Sequence, residues 1–284
     1  MAKLRAFVLS GLLLNLILLG GCKQKDSQQV KSFDGVKISY AIQGQGEPAL
    51  VFVHGWSCDK TVWENQIPYF SKNYKVVTID FGGHGQSGTD RKEWTVEAYG
   101  QDVAAVIKKL GIKKAILIGH SMGGSVIAEA ALLIPDRVIC LVGADTFHDI
   151  ENGYTQGMDE IIAGLKPDFQ MQAKGFARFM FPETADPNLV KQMVEKISSA
   201  NPAVAINTLE NLGKHDLKST FKNITVPVYS ISSDFWPTNF EANKNIVKSF
   251  EVKIIPDIGH FVMLEDAAKF NKYLDEIIEE VGSK

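Results

Sequence analysis

Gly119-His120-Ser121-Met122-Gly123 places a serine between two glycines, directly after the apolar run 115–118 and before a helical pattern at 123–133. This G-x-S-x-G spacing suits a nucleophilic hydroxyl: a sharp strand-to-helix turn lifts the side chain off a sheet, and the glycines let backbone and helix pass closely. A serine nucleophile needs a base. His260, in Asp257-Ile258-Gly259-His260-Phe261, follows the last strand-like run, so it can point back over the sheet edge that carries Ser121. Acyl transfer also needs N–H donors for a developing oxyanion. Met122, just after the serine at a helix start, supplies one, and Trp56, in the loop Val53-His54-Gly55-Trp56, is the natural second. His54 reads as a residue that holds this loop. Asp80 and His84, in the glycine-dense stretch 80–88, read as structural, because that stretch lacks the Lys-and-helix pattern of a phosphate loop. His148 and His215 read as solvated loop histidines.

These residues must be carried by a sheet. Unbroken apolar runs at 49–53, 74–79, 115–118, 138–142, 226–231 and 252–255 predict strands covered on both faces. Helical patterns at 96–110, 123–133, 239–247 and 265–281 alternate with them, which implies a mostly parallel α/β sheet flanked by helices. Runs 29–33 and 36–43 flank Asp34-Gly35, a hairpin signal. The alternation breaks at about 146–221, where four helical patterns and no strand run occur. This is a helical insert between two strands of one sheet, too long for an ordinary loop.

The ends of the chain and its composition set further bounds. Lys3 and Arg5 precede an uncharged, Leu-rich stretch ending in Leu19-Gly20-Gly21-Cys22. Residues 1–21 read as a secretory signal peptide, and the last four residues resemble a bacterial lipobox with Cys22 as the lipidated residue. Residues 22–29 form a polar tether, followed by one domain over 30–284. The expectation is an exported lipoprotein anchored to a membrane of the bacterial cell envelope. A formal charge of −3 gives no reason to expect nucleic acid. Three Cys and six His, scattered, do not suggest a metal scaffold, and no cofactor is implied. Cys58 and Cys140 read as separate thiols.

The His-Gly-Trp loop, the Asp80-to-Gly88 segment, the Gly119-to-Gly124 turn and the late Gly259-His260 pair together resemble the α/β-hydrolase superfamily, over about 30–281. The resemblance implies a serine hydrolase with a helical cap, a small-molecule ester-like substrate and the chain order nucleophile, acid, histidine. It leaves the acid open. The loop after run 226–231, where the acid usually lies, offers Asp234 in Ser232-Ser233-Asp234-Phe235-Trp236-Pro237, although the position before the Pro is Trp236. Asp145, after run 138–142, is the rival that other members favour; Asp234 is preferred here. Serine in the turn argues against the dehalogenases and epoxide hydrolases, which use a carboxylate there. The function expected is cleavage of small carboxylic esters or lactones through an acyl-enzyme. The alternatives are a proline iminopeptidase-like or carbon–carbon bond hydrolase, or a non-catalytic, lipid-anchored binding protein. In the cap, Phe179 and Met180, with Phe261 below, are candidate pocket residues, and Arg178 and Glu183 are possible contacts for a charged substrate end. Oligomeric state is not legible.

Overall fold

Apolar runs without polar alternation become the interior strands of one sheet. The computed structural model describes residues 28–154 and 157–283. The signal peptide and Cys22 lie outside the described residues, as does most of the tether, whose last two residues begin the first strand. Among the described residues eight strands form a single sheet in the order β1-β2-β4-β3-β5-β6-β7-β8. β1 (Gln28–Lys31) and β2 (Lys37–Gln43) pair antiparallel around the Asp34-Gly35 turn, and β2 pairs antiparallel with β4 (Val76–Ile79). From β4 onward every pairing is parallel, through β3 (Ala49–Val53), β5 (Ala115–His120), β6 (Val138–Ala144), β7 (Val228–Ser233) and β8 (Glu251–Ile255). β3, β4 and β5 are buried along their whole length.

Parallel strands need crossovers, and helices supply them on both faces. α1 (Ile67–Phe70), α2 (Val96–Lys109) and α3 (Met122–Leu133) lie in the first half, and α9 (Phe240–Ile246), α10 (Val262–Glu265) and α11 (Ala267–Gly282) in the second. The cap is α4 (Met158–Leu165), α5 (Phe169–Phe179), α6 (Pro187–Ser198), α7 (Pro202–Leu212) and α8 (Leu217–Lys222), all between β6 and β7. Its helix starts are set by local chemistry. Asp168, Asp186, Asn201 and Asp216 each accept a hydrogen bond from a first-turn N–H, and Pro187 and Pro202 open α6 and α7. No described helix is long and apolar enough to cross a membrane.

Three polar links fasten cap to sheet near one edge. Trp56 Nε1–H donates to Ala205 O at 2.9 Å, His260 N–H to Met180 O at 2.9 Å, and Lys196 Nζ to Asp59 Oδ2 at 2.7 Å. Burial pushes the Asp59 carboxyl up, but hydrogen bonds from Lys196 and Thr61 outweigh it and hold the group at about 2. A carboxyl lowered on folding contributes stability above its unfolded value and loses it as pH falls toward the folded value. Between pH 4 and 2 this link therefore releases about 1–2 kcal/mol, discounted for partial exposure. Lys196→Met removes that portion of the acid loss in denaturant titrations run at pH 6, 4 and 2.5.

Candidate active site

The serine turn is built by close approach. β5 ends at His120 and α3 begins at Met122, so Ser121 alone makes the reversal, with φ 53° and ψ −124°. A non-glycine residue held there costs about 1–3 kcal/mol. Its backbone is pinned by Ser121 N–H to Ala144 O at 3.1 Å and Gly124 N–H to Ser121 O at 2.8 Å. A Cβ on Gly123 would meet His54 O at 2.6 Å and Val53 O at 2.7 Å, so only a glycine lets α3 start against the end of β3. Gly123→Ala is expected to cost about 1–3 kcal/mol in chemical denaturation.

The loop after β3 lies against the same turn. A Cβ on Gly55 would stand 3.1 Å from Ser121 Cβ. Met122 is the first residue of α3, so its N–H has no carbonyl within the helix. Trp56 N–H meets no backbone carbonyl among the described residues. His54 braces this loop: Phe81 N–H donates to His54 Nε2 at 3.2 Å, which leaves Nδ1–H to donate to Gly55 O at 2.8 Å. Full burial keeps that ring neutral by lowering its pKa. Asp80 supports the loop behind it, accepting from Lys60 N–H at 2.8 Å and Gln86 N–H at 3.0 Å and pairing with the Lys60 ammonium.

The carboxylate at the histidine is Asp145, not the preferred Asp234. His260 Nδ1 lies 2.7 Å from Asp145 Oδ2, and Asp145 is fully buried. Its Oδ1 accepts from Ser233 N–H at 2.7 Å and Ser233 hydroxyl at 3.0 Å. Burial alone would raise its pKa, but its histidine neighbours more than offset this and hold it well below the usual carboxylate range. Asp234 is exposed and accepts from Asp257 N–H at 2.9 Å. The reason lies in strand register: Ala144 at the end of β6 stands opposite Ile231, so β7 runs two residues further, which leaves Ser233 facing Asp145 and carries Asp234 past it.

The histidine loop is held by hydrogen bonds to Met180, Glu265 and His120. Besides the Met180 carbonyl on His260 N–H, Glu265 accepts from Gly259 N–H at 2.8 Å and Phe261 N–H at 3.0 Å. His120 Nε2 lies 3.0 Å from His260 O and donates to it. Burial raises the Glu265 pKa, opposed by those two N–H groups. Sequence reading passed over Glu265, although an acid four residues after Phe261, at the start of a short helix, is a local capping signal. Glu265→Gln keeps one acceptor oxygen and loses the two-sided grip. We expect kcat to fall about tenfold with KM nearly unchanged, since one charge-assisted hydrogen bond is worth about 1.5–3 kcal/mol.

The expected pocket residues divide. Phe261 is buried and stacks on Phe181, with centroids 5.1 Å apart, and Met180 is buried with its carbonyl on His260. Both pack cap against sheet. Phe179 is instead 65% exposed, because Ala173, Ala177 and Met180 take the inner face of this segment. It lies 6.3 Å from Trp236, whose ring stands edge-on to His260 at 5.1 Å. Arg178 donates to Phe181 O at 3.0 Å, and Glu183 is exposed. Neither His148 nor His215 is a solvated loop residue: His215 is buried with Nε2 2.9 Å from Glu129, and His148 Nε2 faces Asp145 at 3.7 Å. Cys58 and Cys140 are both buried and not joined to each other, and burial pushes the Cys58 thiol up to about 12. Among the described residues no group of three His, Cys, Asp or Glu side chains could hold a metal ion.

The comparisons agree with this architecture. 3-Oxoadipate enol-lactonase 2 of Acinetobacter baylyi is 26% identical over 251 residues, covering 86% of this chain and 94% of that protein. The karrikin insensitive 2 receptor CA of Petunia hybrida is 25% identical over 203 residues, 68% of this chain and 75% of that protein. Among solved structures, an esterase from Exiguobacterium antarcticum superposes with a TM-score of 0.81 at 22% identity, covering 89% of this chain and 99% of that one. The family described as the alpha/beta hydrolase fold matches residues 48–267. With its eight-stranded sheet, its cap between β6 and β7 and its serine turn after β5, the chain belongs to the alpha/beta hydrolase fold family.

Proposed function

We propose that the chain hydrolyses small carboxylic esters or lactones through an acyl-enzyme on Ser121. The observation that carries this reading is the buried 2.7 Å hydrogen bond between Asp145 and His260, on the sheet edge where Ser121 is held in a strained turn. Asp145 fixes the proton on His260 Nδ1, which leaves Nε2 as the base. Nε2 takes the Ser121 proton as Oγ attacks the carbonyl. The tetrahedral oxyanion rests on Trp56 and Met122 N–H. Collapse returns the proton from His260 to the leaving oxygen. In a lactone that oxygen stays attached to the acyl group as a free hydroxyl. Water, deprotonated by His260, then releases the acid and restores Ser121.

Support for the bond class comes from the enol-lactonase relative and the esterase neighbour. A second reading, a binding protein that uses the same pocket without turnover, is favoured by the relative described as a receptor. A peptidase or carbon–carbon hydrolase keeps the same serine chemistry with another bond. One experiment separates them: labelling with a fluorophosphonate probe, with Ser121→Ala as control, followed by p-nitrophenyl esters and small lactones. Ser121-dependent labelling with turnover supports the proposal. Labelling without ester or lactone turnover moves the assignment to another bond class, and absence of labelling removes every serine-hydrolase reading.

We also propose that the chain is exported and anchored through a lipid on Cys22, on the strength of Lys3, Arg5, the apolar stretch and Leu19-Gly20-Gly21-Cys22. Expression with labelled palmitate tests this, since Cys22→Ser loses both the label and sedimentation with membranes.

A further inference from the structure

The loop after β6 turns hard. Asp145 and Phe147 both have positive φ, 47° and 63°, and this folds His148 back toward the carboxylate three residues before it. His148 Nε2 is buried without a hydrogen-bond partner, 3.7 Å from Asp145 Oδ2, the oxygen already bonded to His260. Ser233 occupies Oδ1, so Oδ2 is where a second donor must arrive. On the far side of the ring, Thr238 Oγ1 lies 3.5 Å from His148 Nδ1. A hydroxyl donating there leaves the ring proton on Nε2, aimed at Asp145. The backbone is fixed as well, since Asn239 N–H donates to His148 O at 2.7 Å. Trp236 stands edge-on to both imidazoles, 6.2 Å from His148 and 5.1 Å from His260.

A buried nitrogen left unpaired is destabilising and calls for an explanation. Among the described residues, Asp145 is the only acidic side chain within 4 Å of the His148 ring nitrogens. Asp149, its chain neighbour, is occupied by the Asn152 and Asn239 side chains, and Thr238 and Trp236 contribute no charge.

We propose that His148 is a positioning residue of the hydrolytic site: its Nε2–H closes onto Asp145 Oδ2 in the working complex, so that one carboxylate oxygen serves two histidines. The proposal rests on the serine-hydrolase reading of Ser121 and His260. A buried carboxylate facing His260 alone would hold the imidazolium tightly and slow return of its proton to the leaving oxygen. A second donor on the same oxygen spreads the negative charge and sets that hold lower. Removing the donor therefore raises the proton affinity of His260. Protonating His148 has the opposite sign.

The test compares the wild-type protein with His148→Leu, His148→Gln and Thr238→Val. Two readouts are used: NMR titration of the His260 ring, and the pH dependence of Ser121 modification by a fluorophosphonate. His148→Leu is expected to move both midpoints upward by a factor of about three to ten in proton affinity. His148→Gln keeps an N–H donor and returns both toward wild type. Thr238→Val keeps the ring but loses the hydroxyl that sets its tautomer, and moves the midpoints the same way by a smaller factor. Unmoved midpoints in a folded His148→Leu or Thr238→Val protein overturn the proposal, as does a shift that His148→Gln fails to reverse. The NMR midpoint needs no turnover, so it tests the His148 link even if Ser121 proves unreactive, an outcome that would fall on the hydrolase reading instead.

Discussion

Asp145→Asn lowers kcat on an activated ester by about 10⁴-fold, or about 5.5 kcal/mol of transition-state stabilisation, while Asp234→Asn stays within about threefold of wild type. The amide is nearly isosteric, so the Ser233 contacts to Oδ1 can persist and the fold survives. What changes is the partner of His260 Nδ1. If the amide nitrogen turns toward it, the ring must accept there and carry its proton on Nε2, the wrong place for a base. If the amide oxygen turns toward it, the tautomer is kept but the imidazolium loses its counter-charge. Both routes lower kcat more than KM, which steady-state kinetics on one substrate resolves. Among the described residues Asp234 holds only the Asp257 N–H, so its substitution loosens the start of the histidine loop without touching the ring. Equal, mild losses at both positions would contradict the assignment of the acid.

Ser121→Ala is the larger loss, about 10⁶-fold in kcat, with residual turnover from binding and the oxyanion donors. Its informative companion is the double variant. If Ser121, His260 and Asp145 act as one unit, adding Asp145→Asn to Ser121→Ala costs no more than about twofold further, because a base with no nucleophile to activate has nothing left to lose. Additive losses would mean that Asp145 acts on some other step, such as activation of water directly. The same pair should differ in stability. Ser121→Ala leaves the turn in its strained conformation and changes unfolding free energy little, whereas Asp145→Asn alters a buried pair and lowers it by about 1–3 kcal/mol.

The serine turn was legible in the sequence because its requirements are local: glycines where helix and strand touch, within five residues. The same holds for the parallel strands, whose apolar runs need no knowledge of their neighbours. Strand ends were less legible. β5, β6 and β7 each continue two residues past the apolar run, through Gly119-His120, Gly143-Ala144 and Ser232-Ser233, because ladder hydrogen bonds persist after the hydrophobic demand ends. Each acid directly follows its strand, but the β6–β7 register sets Ala144 opposite Ile231, so Asp145 ends level with Ser232 and Asp234 lies two residues further on, a stagger that no pattern of residue types records. His148 and His215 were read as solvated, and Glu265 went unread, for a similar reason: the Asp145 that faces His148 and the Glu129 that bonds His215 are brought there only by the fold.

The Met180 carbonyl on His260 N–H changes how the cap can be treated as a component. A lid that only covered the site could be exchanged between relatives to alter substrate preference, leaving the reactive groups untouched. Here the segment after α5 is one of the supports of the histidine loop, and a Cβ on Gly259 would come within 2.4 Å of that same carbonyl. Any cap large enough to bring a new pocket must therefore reproduce the backbone path through Met180. On the proposed mechanism, displacing the cap at this seam also frees the backbone N–H of the proposed base, so the cap and the base are mechanically coupled through one hydrogen bond.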